Sequence, residues 1–283
     1  MRFTKLQGLG NDFVLIDGRE QNLDWPSLAR EICRPHYGIG ADGLLLLADP
    51  KSAPYRMRVF NPDGSESEAC GNGLRCFVRY LFDFVEKGAD SFEVETYAGV
   101  RTARMVPSGN EHLVKVSMGK PVFNPELIPV NASPNVGKLF ESMLGEYPLE
   151  VDDKILKLCF VSMGNPHAVY FSDTSADTFP LKEIGPLVEK NPLFPKGVNL
   201  EVARLLDSNL FEARVWERGT GITLACGSGA CAIAVAAQLK GLCGPSCDVR
   251  LPGGIAHIDW VKGQEVFLTG PAVTVFSGDW DIK

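Results

Sequence analysis

Long apolar runs are missing from this 283-residue chain. Its most continuous ones, Leu44–Ala48 and Ala230–Ala237, fall far short of the ~20 residues that a helical membrane span needs. No membrane association is expected. Basic residues are in the minority, 28 Lys and Arg against 35 Asp and Glu. The resulting net charge of −7 argues against a nucleic-acid partner, which requires a basic face. Histidines are scarce and scattered, at positions 36, 112, 167 and 257. Cys243 and Cys247 form Cys-x-x-x-Cys, but no second pair with ligand spacing accompanies them. A structural zinc needs four converging ligands, so no metal is expected. Cys-x-x-Cys is absent as well, which speaks against a thiol redox protein. Arg2 and Lys5 are not followed by an apolar secretory core, so no export leader is expected and a cytoplasmic location is.

What the chain does have is cysteine, eight in all. That is too sparse for the disulfide framework of a small secreted domain. Cys33, Cys76, Cys159 and Cys231 read as small buried hydrophobes. Forty-five per cent apolar and 22% charged residues is the balance of an ordinary globular protein, and the length accommodates two domains. Gly38-Ile39-Gly40-Ala41-Asp42-Gly43 matches the dinucleotide fingerprint in letters only. That motif sits after a strand and before a helix. Here a helix-like segment, Pro26–Cys33, precedes it and the strand-like Leu44–Leu47 follows. A nicotinamide or flavin cofactor is therefore rejected.

The remaining two cysteines carry the argument. Ala69-Cys70-Gly71-Asn72-Gly73 recurs as Ala225-Cys226-Gly227-Ser228-Gly229, with the cysteines 156 residues apart (226 − 70). Each copy follows a strand-like or loop-like stretch and opens an apolar segment that reads as a helix, Cys70–Val85 and Cys226–Lys240. A cysteine at a helix start meets backbone N–H groups with no partner inside the helix and the positive end of its dipole. That environment lowers a thiol's pKa and holds an anion. Two copies suggest a substrate held by a matched pair of thiols.

The repeat extends further. Gly10-Asn11-Asp12-Phe13 before an apolar run resembles Gly164-Asn165-Pro166-His167 before another. Asp42 before Leu44–Leu47 corresponds to Asn199 before Leu200–Val202, and Asn61 to Glu217. The four offsets agree within three residues, which indicates one fold unit used twice. After each helix come three short alternating runs: Ser91–Tyr97, Val100–Val106 and His112–Met118, then Asp248–Leu251, Ile255–Val261 and Glu265–Thr269. Turn signals divide them, Ser108-Gly109-Asn110 among these. Pro121–Pro148, rich in Pro and Asn, reads as a connection. The final run, Ala272–Phe276, is expected to return to the first half. Asn11, Asn61, Asn72, Asn165, His167, Asn199, Glu217, Arg218 and Ser228 fall at strand ends and turns of matching segments. The asymmetric pairs, Asn61 against Glu217 and Phe13 against His167, suit an asymmetric ligand.

These segments, with Asn61-Pro62-Asp63-Gly64-Ser65, Gly197-Val198-Asn199 and Glu217-Arg218-Gly219-Thr220-Gly221, closely resemble the diaminopimelate epimerase family. The resemblance covers essentially the whole chain. It implies an α+β fold of two pseudo-symmetric domains, each a barrel-like, mostly antiparallel sheet around a central helix, with the substrate enclosed between them. The halves would be residues 1–120 plus 270–283 and residues 121–269. The implied activity is a pyridoxal-independent isomerase that interconverts LL- and meso-diaminopimelate, using no cofactor and working as a homodimer, for lysine and cell-wall precursors. By position, Cys70 and Cys226 would be the acid–base thiols, and the amides of Gly71, Asn72, Gly227 and Ser228 would hold the α-carboxylate. Asn11, Asn61, Asn165, Asn199, Glu217 and Arg218 would bind the rest of the amino-acid substrate, with His167 and Glu217 adjusting the thiols. Gly43 stands where some members have glutamine, so no side-chain contact is carried over there. Related racemases of proline or hydroxyproline, the alternative, typically show Cys-Gly-His or Cys-Gly-Thr in these turns; Asn72 and Ser228 favour the diaminopimelate branch.

Overall fold

A computed structural model describes residues 1–67, 70–109, 111–133 and 135–281. Ala69 of the first cysteine segment and Asn110 of a predicted turn lie outside them. The chain divides into two compact units, Met1–Ser117 with Thr269–Lys283, and Met118–Leu268.

The first unit opens with β1 (Arg2–Gly8), β2 (Asn11–Asp17), helix α1 (Trp25–Ile32), β3 (Gly43–Ala48) and β4 (Tyr55–Phe60). Helix α2 (Gly71–Tyr80) and strands β5 (Ser91–Thr96), β6 (Gly99–Ser108) and β7 (Glu111–Ser117) follow. β2 pairs parallel with β3, and β4 parallel with β5; the β1–β2, β3–β4, β5–β6 and β6–β7 pairs are antiparallel. Parallel neighbours need a crossover connection, and α1 and α2 supply the two. β3 is buried along its whole length, which explains the unbroken Leu44–Leu47 run of a strand covered on both faces. Leu44 and Leu46 pack with Trp25, Leu28, Ala29 and Ile32 of α1. Leu45 faces the other way, with its Cδ2 close to Gly73 of α2.

The second unit repeats this plan after a preamble. A hairpin of β8 (Lys138–Phe140) and β9 (Met143–Gly145) lies within the segment expected to be a mere connection, and the strand β10 (Tyr147–Val151) begins at its end. Ile128, Val130 and Leu144 there are buried in this unit's core, so apolar anchoring organises a stretch whose periodicity is weak. Then come β11 (Lys154–Ser162), β12 (Pro166–Phe171), α3 (Leu181–Glu189), β13 (Asn199–Asp207), β14 (Leu210–Glu217) and β15 (Gly221–Ile222). Helix α4 (Gly227–Leu239), β16 (Ser246–Leu251) and β17 (Gly254–Trp260) follow, and β18 (Val266–Pro271) begins in this unit and ends in the first. The parallel pairs are again those bridged by helices, β12 with β13 across α3 and β14 with β16 across α4. α3 has no counterpart among the sequence expectations, because Gly185 and Pro186 inside it mask its period. The last strand, β19 (Val273–Asp279), pairs antiparallel with β1, as expected for a chain end returning to the first half.

In each unit one helix is enclosed by its own strands. α2 packs against β1, β2, β3, β4, β6, β7 and β19, and α4 against β11, β12, β13, β16 and β17. α4 is buried nearly all round, as its Ala, Ile and Val content requires. Each fully buried Ile or Val contributes about 1.5–3 kcal/mol relative to exposure. The segment after α2 stays helical, but Leu81–Val85 widens to a π-helical turn, so the α-helical part ends earlier than expected. Among the described residues no helix is long and apolar enough to cross a membrane.

Gly185 shows why α3 tolerates a poor helix former. A Cβ there would stand 2.5 Å from Cδ2 of Trp216, whose Nε1 donates to Glu189 Oε2 at 2.6 Å. Gly185→Ala should therefore destabilise the native state by about 2 kcal/mol through overpacking, read as a lower midpoint in urea. An unchanged midpoint would mean the indole moves freely.

Candidate active site

Cys70 and Cys226 do the same local work. Each is the extended residue before its helix, with φ/ψ of −144°/95° and −113°/111°. Each sulfur accepts a hydrogen bond from the N–H three residues on, Gly73 at 3.2 Å and Gly229 at 3.3 Å. A sulfur thus fills the role that a serine or aspartate oxygen normally plays at a helix start. Glycine leaves room opposite it. A Cβ on Gly73 would lie 3.0 Å from Cys70 Sγ, and one on Gly229 would lie 3.3 Å from Cys226 Sγ. Cys70 is half-buried and Cys226 buried. The four cysteines read as packing residues, Cys33, Cys76, Cys159 and Cys231, are all buried. Burial pushes the Cys33 and Cys76 thiols up to about 12.

Around Cys70 the first unit assembles an amide network. Asn72 Nδ2 donates to Asn11 Oδ1 at 3.1 Å, and Asn11 Nδ2 donates to Asp42 Oδ2 at 2.7 Å. Arg75, wholly buried, donates from Nη2 to Asn72 Oδ1 at 2.9 Å. Asp42 is tied to β2 through the backbone N–H of Asp12, and its own N–H reaches Asp12 Oδ1 at 3.0 Å. Asn61 closes a turn after β4, with Nδ2 on Ser65 Oγ at 2.9 Å. Gly71, the first residue of α2, is buried.

The second unit gathers more charge. His167 and Glu201 are both fully buried, with Nδ1 to Oε1 at 2.7 Å. His167 Nε2 lies 2.9 Å from Asn165 Oδ1. Asn199 Nδ2 donates to the Pro166 carbonyl at 2.8 Å, while its Oδ1 accepts from the Arg218 N–H at 2.8 Å. The Arg218 side chain is exposed and its Nη1 reaches the Lys196 carbonyl at 3.2 Å. Glu217 accepts from Thr223 Oγ1 and from the Cys226 thiol. Ser228 Oγ is 3.5 Å from Cys226 Sγ, and Gly227 is buried at the start of α4.

Two electrostatic consequences follow. Burial pushes the Glu217 carboxyl up, although Thr223 and Cys226 hydrogen-bond its charged form. Burial also pushes the Cys226 thiol well up, with the Glu217 and Glu201 charges adding to it. Cys226 is therefore a thiol at neutral pH, despite the helix start beside it.

Strand register corrects one pairing read from the sequence. Asn199 lies opposite His167 as Gly43 lies opposite Phe13. The counterpart of Asn199 is therefore Gly43 rather than Asp42, and the counterpart of Glu201 is Leu45. Sequence reasoning passed over Arg75, Glu201 and Thr223. The signal for Glu201 was a lone carboxylate between Leu200 and Val202; for Arg75, a cation inside an otherwise apolar helix face.

Comparisons with known proteins agree with this construction. The family model described as diaminopimelate epimerase matches residues 3–124 and 159–275. A protein of Acetivibrio thermocellus named diaminopimelate epimerase is 44% identical over 286 residues, covering 100% of this chain and 99% of its own. One of Desulfovibrio desulfuricans with the same name is 46% identical over 285 residues, with 100% and 99% covered. Among solved structures, a hydroxyproline epimerase from Agrobacterium vitis superposes with a TM-score of 0.69 at 14% identity, covering 98% of this chain and 90% of that one. A probable proline racemase from Agrobacterium radiobacter gives 0.70 at 14% identity, with 100% and 93% covered. At such identity these two establish the fold alone.

The raised Cys226 thiol has a measurable consequence. Between about pH 8 and about pH 10 the unfolded chain releases this proton and the folded chain keeps it, so native stability falls as pH rises. Cys226→Ala should flatten that fall in melting temperature relative to the parent. Parallel curves would contradict the assigned environment.

Proposed function

Because this chain belongs to the diaminopimelate epimerase family, we propose that it interconverts LL- and meso-diaminopimelate by moving one α-proton between two thiols. The duplicated cysteine-capped helix start is the observation that carries this reading. Inversion at a tetrahedral carbon requires a proton to leave one face and another to arrive at the opposite face. A thiolate takes the α-proton and becomes a thiol. The electron pair left on carbon spreads onto the α-carboxylate, and the second thiol then protonates the other face and becomes a thiolate. Cys70 and Cys226 are the two groups, exchanging roles in the reverse direction.

The α-hydrogen is weakly acidic, so the carboxylate must be stabilised as it gains charge. The N–H groups of Gly71 and Asn72 at the start of α2, and of Gly227 and Ser228 at the start of α4, serve this end. Such preorganised donors contribute about 3 kcal/mol each to barrier lowering. Asn11, Asn61, Asn165, Asn199, Glu217 and Arg218 recognise the remaining polar groups, Arg218 through its planar fork suited to a carboxylate. Glu217 receives the Cys226 S–H bond, and with His167 it adjusts the protonation of that thiol. No pyridoxal or metal takes part in this scheme. The resemblance also supports a cytoplasmic homodimer, which sedimentation of the purified protein would check.

Purified protein in reductant, without added cofactor, should convert LL- to meso-diaminopimelate and leave L-proline and hydroxyproline unchanged. In deuterated water the product should gain deuterium at one α-carbon. Cys70→Ala or Cys226→Ala should lower turnover by about 10³-fold or more with the fold retained, in line with loss of a general acid or base. Substantial residual turnover in either variant would refute the two-thiol scheme.

A further inference from the structure

The buried pair His167–Glu201 has no counterpart in the first unit, where Phe13 and Leu45 stand at the matching register positions. At those two positions the first unit therefore uses apolar side chains. Replacing a buried ion pair by apolar residues is often neutral or stabilising. The fold does not explain why the second unit keeps a carboxylate at Glu201, one of whose oxygens, Oε2, has no hydrogen-bond partner among the described residues.

The hydrogen-bond directions supply a reason. Asn165 Oδ1 faces His167 Nε2 at 2.9 Å, and an amide oxygen only accepts, so Nε2 carries a proton. Glu201 Oε1 faces Nδ1 at 2.7 Å, and the two share one proton whichever atom holds it. The carboxylate thus fixes the ring, and the ring fixes which end of the Asn165 amide points away from it. That end is Nδ2, which has no hydrogen-bond partner among the described residues. In the first unit the corresponding Asn11 has both ends of its amide engaged, Nδ2 by Asp42 and Oδ1 by Asn72. Glu201 is also wedged beneath the first turn of α4, with Oε1 2.9 Å from where a Cβ on Gly229 would stand.

We propose that Glu201 is a positioning residue: through His167 it turns the Asn165 amide so that its two N–H donors face the substrate and receive an acceptor group, a carboxylate oxygen. This rests on the reading of Asn165 as a substrate-binding residue. The role is held in common by three side chains in series, and only the last touches the ligand.

The test combines spectra and kinetics. In ¹⁵N-histidine-labelled protein, the His167 imidazole should show a protonated Nε2, and Glu201→Leu should change its nitrogen shifts while Glu201→Gln changes them less. Leucine fits this slot in the first unit, and the double replacement Glu201→Leu with His167→Phe recreates that unit's pair as a folding control. Glu201→Leu should raise KM for diaminopimelate about tenfold, the usual worth of a charge-assisted hydrogen bond, with a smaller change in kcat. Glu201→Gln should restore most of the loss. On an Asn165→Ala background, Glu201→Leu should add nothing further to KM. Unaltered imidazole shifts, an unaltered KM, or fully additive effects with Asn165→Ala would each overturn the proposal. A wild-type protein that turns over no diaminopimelate would instead defeat the functional reading, leaving the imidazole spectra to judge Glu201.

Discussion

A sulfur atom accepting the N–H at the third position of a buried helix is the constraint on which each unit depends. It ties three requirements together at Cys70 and again at Cys226. The chain must leave a strand, turn in an extended conformation and enter a helix enclosed by its own sheet. The residue opposite the sulfur is glycine, and a Cβ on Gly73 or Gly229 would crowd the sulfur at 3.0 or 3.3 Å. Finally, the helix must be apolar where strands surround it. The crossover topology supplies the first condition, since α2 and α4 each bridge a parallel strand pair.

Duplication gives two equal frames, and the chemistry lies in how they differ. The first unit surrounds its cysteine turn with neutral amides, Asn11 and Asn72, braced by the Arg75 guanidinium and the Asp42 carboxylate. The second places two carboxylates, Glu217 and Glu201, and a buried imidazole around its own. Negative charge and burial keep Cys226 protonated. A two-base inversion begins with one thiol and one thiolate, so an unequal pair of environments is what such a reaction demands of a symmetric fold. The polar residues add no packing that apolar ones do not provide elsewhere in the molecule, as Phe13 and Leu45 demonstrate.

Much of the scaffold was legible before the structure, for local reasons. Period-two runs mark β5 to β7 and β16 to β18, and the turn residues between them mark the hairpins. The all-apolar Leu44–Leu47 run already reads as a strand, and the structure adds that it is buried along its whole length. The misses have equally physical causes. Gly185 and Pro186 disguise α3, because the close approach of Trp216 excludes a better helix former at the first of them. The 121–148 segment holds its hairpin by burying a few separated residues, Ile128, Val130 and Leu144, and no period records that. The pairing of Asp42 with Asn199 was one residue off, since counting along the chain does not respect strand register.

By itself, the sequence determined the two cysteine turns, the starts of the helices behind them and the short alternating strands that follow each, because caps, turns and periodicity act over a few neighbouring residues. Only the tertiary structure decided which polar side chains meet. His167 finds Glu201 across a parallel strand pair, Asn11 finds Asp42 and Asn72, and Arg75 is enclosed beneath its own turn. The partners of His167 and Asn11 lie 31 to 61 residues away along the chain, and strand register, which a shift of one residue would invert, is what brings them together.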